Sequence, residues 1–167
     1  HSTDLTPKIL EKLSLENPRI RKCDNADPNG FGFAVRTGFL NARGKWVAVM
    51  MADASDDPED LVRFYRQGVE QGKDAVFGHR FARGGKVIDY PVFKLLLNRL
   101  TNWFICLLFA ISYSDVTNAF KLYRRDTLSG LEPLLSPHFN LTVELPLKVI
   151  VRGYSYIVVP NSWRNRK

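Results

Sequence analysis

Acidic side chains crowd Met51-Ala52-Asp53-Ala54-Ser55-Asp56-Asp57-Pro58-Glu59, directly after residues 46–51, an unbroken apolar run of strand length. A run of that kind is buried on both faces, as in a parallel sheet, and ligands of open α/β sheets collect beyond the C-terminal ends of such strands. Hard carboxylate oxygens at that place suit Mg²⁺ or Mn²⁺, which can hold a diphosphate and neutralise its charge as it leaves. Asp57 and Glu59 read more simply as the cap and first turn of the next helix. Asp53 carries the functional reading, and Asp56 is open to either. The other candidates are basic. Arg80 opens a Gly-rich basic loop over residues 80–86, and Arg99 lies inside the long apolar helix that follows. Guanidinium forks match phosphate oxygens, whereas Arg83 is equally well explained as a solvated surface residue and His79 as a structural residue at a strand end.

The elements that must position these groups alternate in type. Thr6 and Pro7 open a helix that Asn17-Pro18 stops, a short strand follows at residues 20–23, and residues 24–32 form a loop rich in Asn, Asp, Pro and Gly. A helix over residues 33–42 ends at Gly44, ahead of the 46–51 strand. Asp57-Pro58-Glu59-Asp60 starts a helix that runs to about Gly72, and a strand occupies residues 75–78. The helix over residues 91–110 is apolar nearly all round, which requires burial or a greasy partner. A final helix over residues 142–152 stops at Gly153 before a strand at residues 154–160. Alternation of this kind predicts an α/β domain with a mainly parallel sheet, and 167 residues fit one such domain.

Composition narrows the partners. With 24 Lys plus Arg against 17 Asp plus Glu, the formal charge of +7 favours an anionic partner. The basic residues are scattered apart from Arg164, Arg166 and Lys167, so phosphorylated small molecules or an acidic membrane suit them better than nucleic acid. Cys23 and Cys106 have no CxxC spacing and no paired histidines, which indicates reduced core thiols rather than zinc or disulfides. No signal peptide opens the chain, so a cytosolic setting is the default. The greasiest stretch, residues 103–111, falls well under the roughly twenty residues that span a bilayer.

The run Asn29-Gly30-Phe31-Gly32-Phe33-Ala34-Val35-Arg36-Thr37-Gly38, followed by the strand and its acidic end, resembles the Gly-rich loop, Arg-x-Gly helix and D-x-D-type motif of family 2 glycosyltransferases. Asp53 matches the second Asp of that motif and Met51 replaces the first, a Met-Ala-Asp form that some relatives carry. A dinucleotide fingerprint is disfavoured because position 35 is Val where Gly is needed. Gly78-His79-Arg80, Lys94 with Arg99, and Asp115-Val116-Thr117-Asn118-Ala119-Phe120-Lys121-Leu122-Tyr123-Arg124 resemble segments of the dolichyl- and undecaprenyl-phosphate sugar transferases.

The resemblance implies a GT-A, three-layer α/β/α domain over residues 1–167 that begins and ends inside the catalytic unit, with the first strand missing. It also implies inverting transfer of a sugar from a nucleotide-diphosphate donor to a lipid phosphate, at the cytoplasmic face of a membrane. Asp53 and Asp56 would be the catalytic and Mg²⁺ or Mn²⁺ ligands, and Gly30, Gly32, Arg36, Arg80, Arg99 and Lys121 the substrate-binding residues. Two rivals stand beside this expectation. One is a saccharide acceptor, with Asp56 or Glu144 as general base; the other is an inactive nucleotide-sugar-binding module.

Overall fold

Successive side chains along each strand point to opposite faces, which sorts them onto two sides of one mixed sheet. The computed structural model describes residues 2–26 and 28–165. The elements are α1 (Thr6–Glu16), α2 (Phe31–Asn41), β1 (Trp46–Val49), α3 (Pro58–Glu70), β2 (Ala75–His79), β3 (Lys86–Ile88), α4 (Val92–Phe109), β4 (Lys121–Arg124), α5 (Arg125–Gly130), α6 (Leu141–Val151), β5 (Tyr156–Pro160) and β6 (Ser162–Arg164). Four strands form the sheet in the order β1-β4-β2-β5. β5 runs parallel to β2, and β4 runs antiparallel to both of its neighbours, so β1, β2 and β5 share one direction. Antiparallel β4 is what makes the sheet mixed.

Alternation along β2 shows how the layers arise. Ala75 and Phe77 face a core completed by Tyr123, Leu131, Leu141, Leu145 and Val149, under α5 and α6. Val76 faces the other side, where Phe64 of α3 packs with Phe120, Leu122 and Val159. α3 is fixed by local chemistry: the Asp57 side chain accepts the Glu59 N–H at 2.9 Å, and Pro58 supplies the first-turn φ. Asp57 and Glu59 therefore serve the helix start.

Several expectations need correction. Residues 20–23 form no strand; Arg21, Lys22 and Cys23 are exposed, Arg21 reaches the Asn41 carbonyl and Lys22 pairs with Asp24. Too few apolar side chains are present there to bury a strand. Cys23 is accordingly an exposed thiol, and only Cys106 is partly buried. β1 lies at the edge of the sheet, and of its residues only Val49 is buried, so it is not sandwiched on both faces as its apolar run suggested. Arg166 and Lys167 of the basic cluster lie outside the described residues.

α4 departs most from an ordinary core helix. Its 18 residues have a mean hydropathy of 1.4, long and apolar enough by length and composition to cross a membrane, which the nine-residue stretch judged from sequence understated. Yet its only buried residue is Asn102. Phe93, Leu96, Trp103 and Leu107 are all at least 60% exposed.

Candidate active site

The C-terminal ends of β1 and β2 and the loop before β4 meet at one edge of the sheet, around a hollow of about 250 Å³. The loop after β1 folds back on itself to supply the acidic wall. Asp53 accepts the Ser55 N–H at 3.1 Å, Ala54 takes a left-handed φ of 56°, and Asp56 accepts the Met51 N–H at 3.3 Å. Asp53 and Asp56 both line the hollow. Asp56 is 5% exposed, and this burial, reinforced by the negative charge of Asp53, pushes its carboxyl up to about 6. A desolvated carboxylate beside a second one favours a cation, and two carboxylates leave room for diphosphate oxygens and water in an octahedral shell, so the pair fits Mg²⁺ or Mn²⁺. Among the described residues no third His, Cys, Asp or Glu joins them.

The wall opposite is polar and preorganised. Arg80, at the end of β2, is locked onto Asp115: its backbone N–H and Nε donate to Oδ2 at 2.8 and 3.0 Å, and Nη2 donates to Oδ1 at 2.6 Å. Asp115 is wholly buried. Asn118 donates to the Gly78 carbonyl at 2.9 Å and to Asn161 Oδ1 at 3.0 Å, and Tyr113 donates to the same carbonyl at 2.8 Å. A Cβ on Gly78 would lie 2.8 Å from Asn161 Oδ1 and from the Phe120 carbonyl, so this close approach needs glycine.

α4 supplies Lys94 and Asn98, and Tyr90 and Trp163 close the hollow with ring centroids 4.8 Å apart. The Lys94 ammonium lies 5.8 Å from the Tyr90 ring and 6.0 Å from that of Trp163. Trp163 is held in place by the small parallel sheet of β3 and β6, by a bridge between Asp56 and Trp163, and by the Arg164 N–H donating to the Ser55 carbonyl at 2.9 Å.

Of the residues singled out from sequence, Asp53, Asp56 and Arg80 line this hollow, and Gly30, Gly32, Arg36, Arg99 and Lys121 do not. Gly30 and Gly32 pack against residues 136–138: the Gly32 N–H donates to the Pro137 carbonyl at 3.0 Å, and a Cβ on either glycine would lie within 2.3 Å of a carbonyl there. Arg36 donates to the Ser136 carbonyl at 2.8 Å, a bond that fastens α2 to the same segment. Arg99 is exposed, its guanidinium 4.9 Å from the Phe81 ring centre.

Lys121 is 1% exposed and its ammonium donates to the carbonyls of Val116, Asn118 and Thr142. Burial pulls its pKa down to about 7. It therefore knits the loop before β4 to α6 instead of facing the hollow. Glu144, a candidate base for a saccharide acceptor, accepts the N–H groups of Leu135 and Ser136 at 2.8 and 2.7 Å and pairs with Lys148 at 2.6 Å. Burial works to raise its pKa, and those donors bring it down to about 2, too acidic for a general base. His79 shares a hydrogen bond with Ser114 Oγ at 2.9 Å, consistent with its structural reading. Thr117 and Asn118 line the hollow from within the 115–124 segment, where the motif gave them no role of their own, and Tyr90 and Phe139 line it with no local spacing to mark them.

Residues 1–131 match the sequence model described as "Glycosyl transferase family 2". The chain is 30% identical over 172 residues to the polyprenol monophosphomannose synthase of Mycolicibacterium smegmatis, covering 99% of this chain and 64% of that protein. It is 26% identical over 171 residues to the undecaprenyl-phosphate mannosyltransferase of Micrococcus luteus, covering 99% of this chain and 70% of that one. Among solved structures, a mycobacterial protein superposes with a TM-score of 0.72 at 15% identity, over all of this chain and 56% of the other. Glucosyl-3-phosphoglycerate synthase from Mycobacterium tuberculosis, in complex with Mn²⁺, UDP and phosphoglyceric acid, superposes with a TM-score of 0.65 at 14% identity, over all of this chain and 58% of that one. The chain thus spans somewhat more than half the length of most of these proteins.

Proposed function

Because this chain belongs to glycosyltransferase family 2, we propose that it carries the reaction centre of an enzyme that moves a sugar from a nucleoside-diphosphate donor to a polyprenyl phosphate, inverting the anomeric carbon. The fold is GT-A, as the resemblance implies. The observation that carries the reading is the chemical asymmetry of the hollow. One wall offers Asp53 and Asp56; another offers Lys94, which makes no ion pair among the described residues, beside Asn98 and Thr117. The acidic wall suits a metal-bound diphosphate and the basic wall suits a second phosphate. The names of the two relatives, a polyprenol and an undecaprenyl-phosphate mannose transferase, favour a lipid phosphate there.

A phosphate monoester has a second pKa of roughly 6 and is largely dianionic near neutral pH. One of its oxygens attacks the anomeric carbon on the face opposite the leaving diphosphate. The new C–O bond forms as the bond to the diphosphate oxygen breaks, and the electron pair departs with the nucleoside diphosphate. No base has to remove a proton, so positioning and charge complementarity supply the acceleration. Asp53 and Asp56 would hold the Mg²⁺ or Mn²⁺, which when bound neutralises charge on the leaving group. Lys94 orients the acceptor phosphate as a point charge, with Asn98 beside it.

Arg80 is already satisfied by Asp115 and Arg99 lies outside the hollow, so Lys94 is the cation to test. In the full-length protein, Lys94→Ala raises the KM for a polyprenyl phosphate about 10- to 100-fold, the loss of one charge-assisted hydrogen bond, and leaves donor hydrolysis within about twofold. Steady-state kinetics on both reactions decide; equal loss of both would move Lys94 to the donor side.

The exposed side of α4 belongs to the same reading. It lies along the surface of a membrane at the cytoplasmic face, where a polyprenyl tail resides, with Lys94, Arg99 and the net charge of +7 matching acidic head groups. Trp103 and Phe104, 60% and 56% exposed, would enter the acyl boundary. Replacing both by Ser lowers partitioning onto phosphatidylglycerol-containing vesicles by about 10-fold or more, given ~1.5–3 kcal/mol for full burial of one such side chain and about half of that at an interface. Flotation measures this, and unchanged flotation with an intact circular dichroism spectrum would remove α4 from the membrane.

A further inference from the structure

α4 is fastened to the domain with its polarity reversed: an amide is buried and most of the apolar side chains face outward. Asn102 is 1% exposed, whereas Leu95, Asn98, Ile105 and Cys106, its neighbours on the same stripe, are only partly buried. The Asn102 side chain makes a two-pronged attachment to one residue of the loop before β4. Its Nδ2 donates to Thr117 Oγ1 at 2.9 Å, and its Oδ1 accepts the Thr117 N–H at 3.1 Å. Asn98, one turn earlier, donates to the same hydroxyl at 2.9 Å. Thr117 lines the hollow, and its neighbour Asn118 is tied to the Gly78 carbonyl at the end of β2.

Apolar packing is non-directional and allows a helix to roll or slide, whereas a donor and an acceptor engaged on one partner fix both the rotation and the height of the helix. A buried amide is also costly unless both of its ends are satisfied, so this attachment resists being opened by water. The arrangement thus ties α4, which contributes Lys94 and Asn98 to the hollow, to the loop wall that carries Thr117.

We infer that Asn102 is a positioning residue that holds the membrane-facing side of α4 and the hollow in a single register, so that the phosphate of an acceptor whose tail lies in the bilayer arrives at the reacting position. The inference rests on the lipid-phosphate reading above. Asn102 does not line the hollow and acts through Thr117 and through Asn98, to whose Oδ1 its Nδ2 also donates at 3.1 Å. A phosphate presented by the bilayer depends on this register; a phosphate on a short chain dissolved in water brings itself into the hollow and does not.

The test compares two acceptors in the full-length protein: a two-isoprene phosphate kept below its micellar concentration, and a long-chain polyprenyl phosphate in phosphatidylcholine–phosphatidylglycerol vesicles. Asn102→Leu removes both bonds to Thr117. It is expected to lower kcat/KM on the vesicle-borne acceptor by about 10-fold or more and to leave the short-chain reaction and vesicle binding within about threefold. Equal loss on both acceptors, or no loss on either, overturns the role of Asn102. No transfer by the wild type to either phosphate overturns the acceptor reading itself and this inference with it. If the Leu variant does not fold, Asn102→Ala takes its place. A measurement on the wild type alone decides independently: vesicle binding should slow amide hydrogen exchange at Thr117 and Asn118 together with α4. Protection of α4 with no change in that loop overturns the coupling.

Discussion

Replacing Asp53 by Asn in the full-length protein is expected to weaken metal-dependent binding of the sugar nucleotide by on the order of 100-fold, whereas Glu59→Gln leaves it within about twofold. The two residues belong to one acidic run, and their surroundings separate them. Glu59 is exposed in the first turn of α3, where its charge favours the helix dipole and no wall of the hollow includes it. Asp53 lines the hollow beside Asp56. An Asn side chain can still accept the Ser55 N–H through its amide oxygen, so the turn of residues 53–55 survives and the lost quantity is one negative charge on a hard oxygen. Hard divalent cations are held by charged oxygens, and affinity falls with the charge count of the ligands. Isothermal titration with the sugar nucleotide, with and without Mn²⁺, measures the difference. If the Asp53→Asn variant binds donor with the full metal enhancement of the wild type, Asp53 is not a metal ligand.

What the sequence disclosed follows the range of the forces involved. α3 was legible because Asp57, Pro58 and Glu59 are a start signal complete within three residues, and α4 because Pro91 and a pattern that is apolar nearly all round bound it locally. The carboxylates of the hollow were legible for the same reason: the strand, its end and its acidic loop are contiguous. Residues whose role depends on a distant partner were not. Arg80 and Asp115 are 35 positions apart and Arg36 and Ser136 are 100 apart, so motif resemblance could give the two arginines a substrate role but not the partners that the fold gives them.

Lys121 offered one clue. A lone Lys between Phe120 and Leu122, ahead of Tyr123, sits in a run that a sheet buries, and a buried ammonium must be surrounded by acceptors, as this one is by three carbonyls. β1 misled in the opposite sense. Its apolar run implies neighbours on every side, but hydrophobicity does not state which strand will pair, and here one side of β1 has none among the described residues. α4 shows the same limit: its all-round apolar character was plain, and partners outside the helix, Thr117 for Asn102 and Tyr113 for Cys106, determine which side of the helix turns inward.

Arg80→Ala should destabilise the protein by about 3–5 kcal/mol, the usual consequence of removing one partner of a buried ion pair. The resemblance made Arg80 a phosphate ligand; the geometry gives it a different first duty. At 7% exposure it meets a carboxylate with no exposure at all, and it commits Nε, Nη2 and its backbone N–H to that one group. Desolvation opposes the charge on Arg80, but the hydrogen bonds and charge of Asp115 outweigh it and raise the guanidinium pKa. Truncation would leave the Asp115 carboxylate dry beside only the backbone N–H of position 80, and the loop carrying Thr117, Asn118 and Ala119 would keep only its bonds to the Gly78 carbonyl and to His79 as side-chain anchors to that end of β2.

If the penalty arises from the stranded charge, neutralising the partner should relieve it. The double variant Arg80→Met with Asp115→Asn keeps an acceptor for the backbone N–H of position 80 and buries no charge. It is expected to recover at least about half of the lost stability, since apolar replacement of a buried pair is often close to neutral. Urea denaturation of the wild type, both single variants and the double variant closes the cycle. A phosphate ligand would behave otherwise: Arg80→Ala would keep the wild-type midpoint, acceptor turnover alone would fall, and adding Asp115→Asn would restore nothing. That pattern would return Arg80 to the substrate and show that the buried pair does not hold the fold.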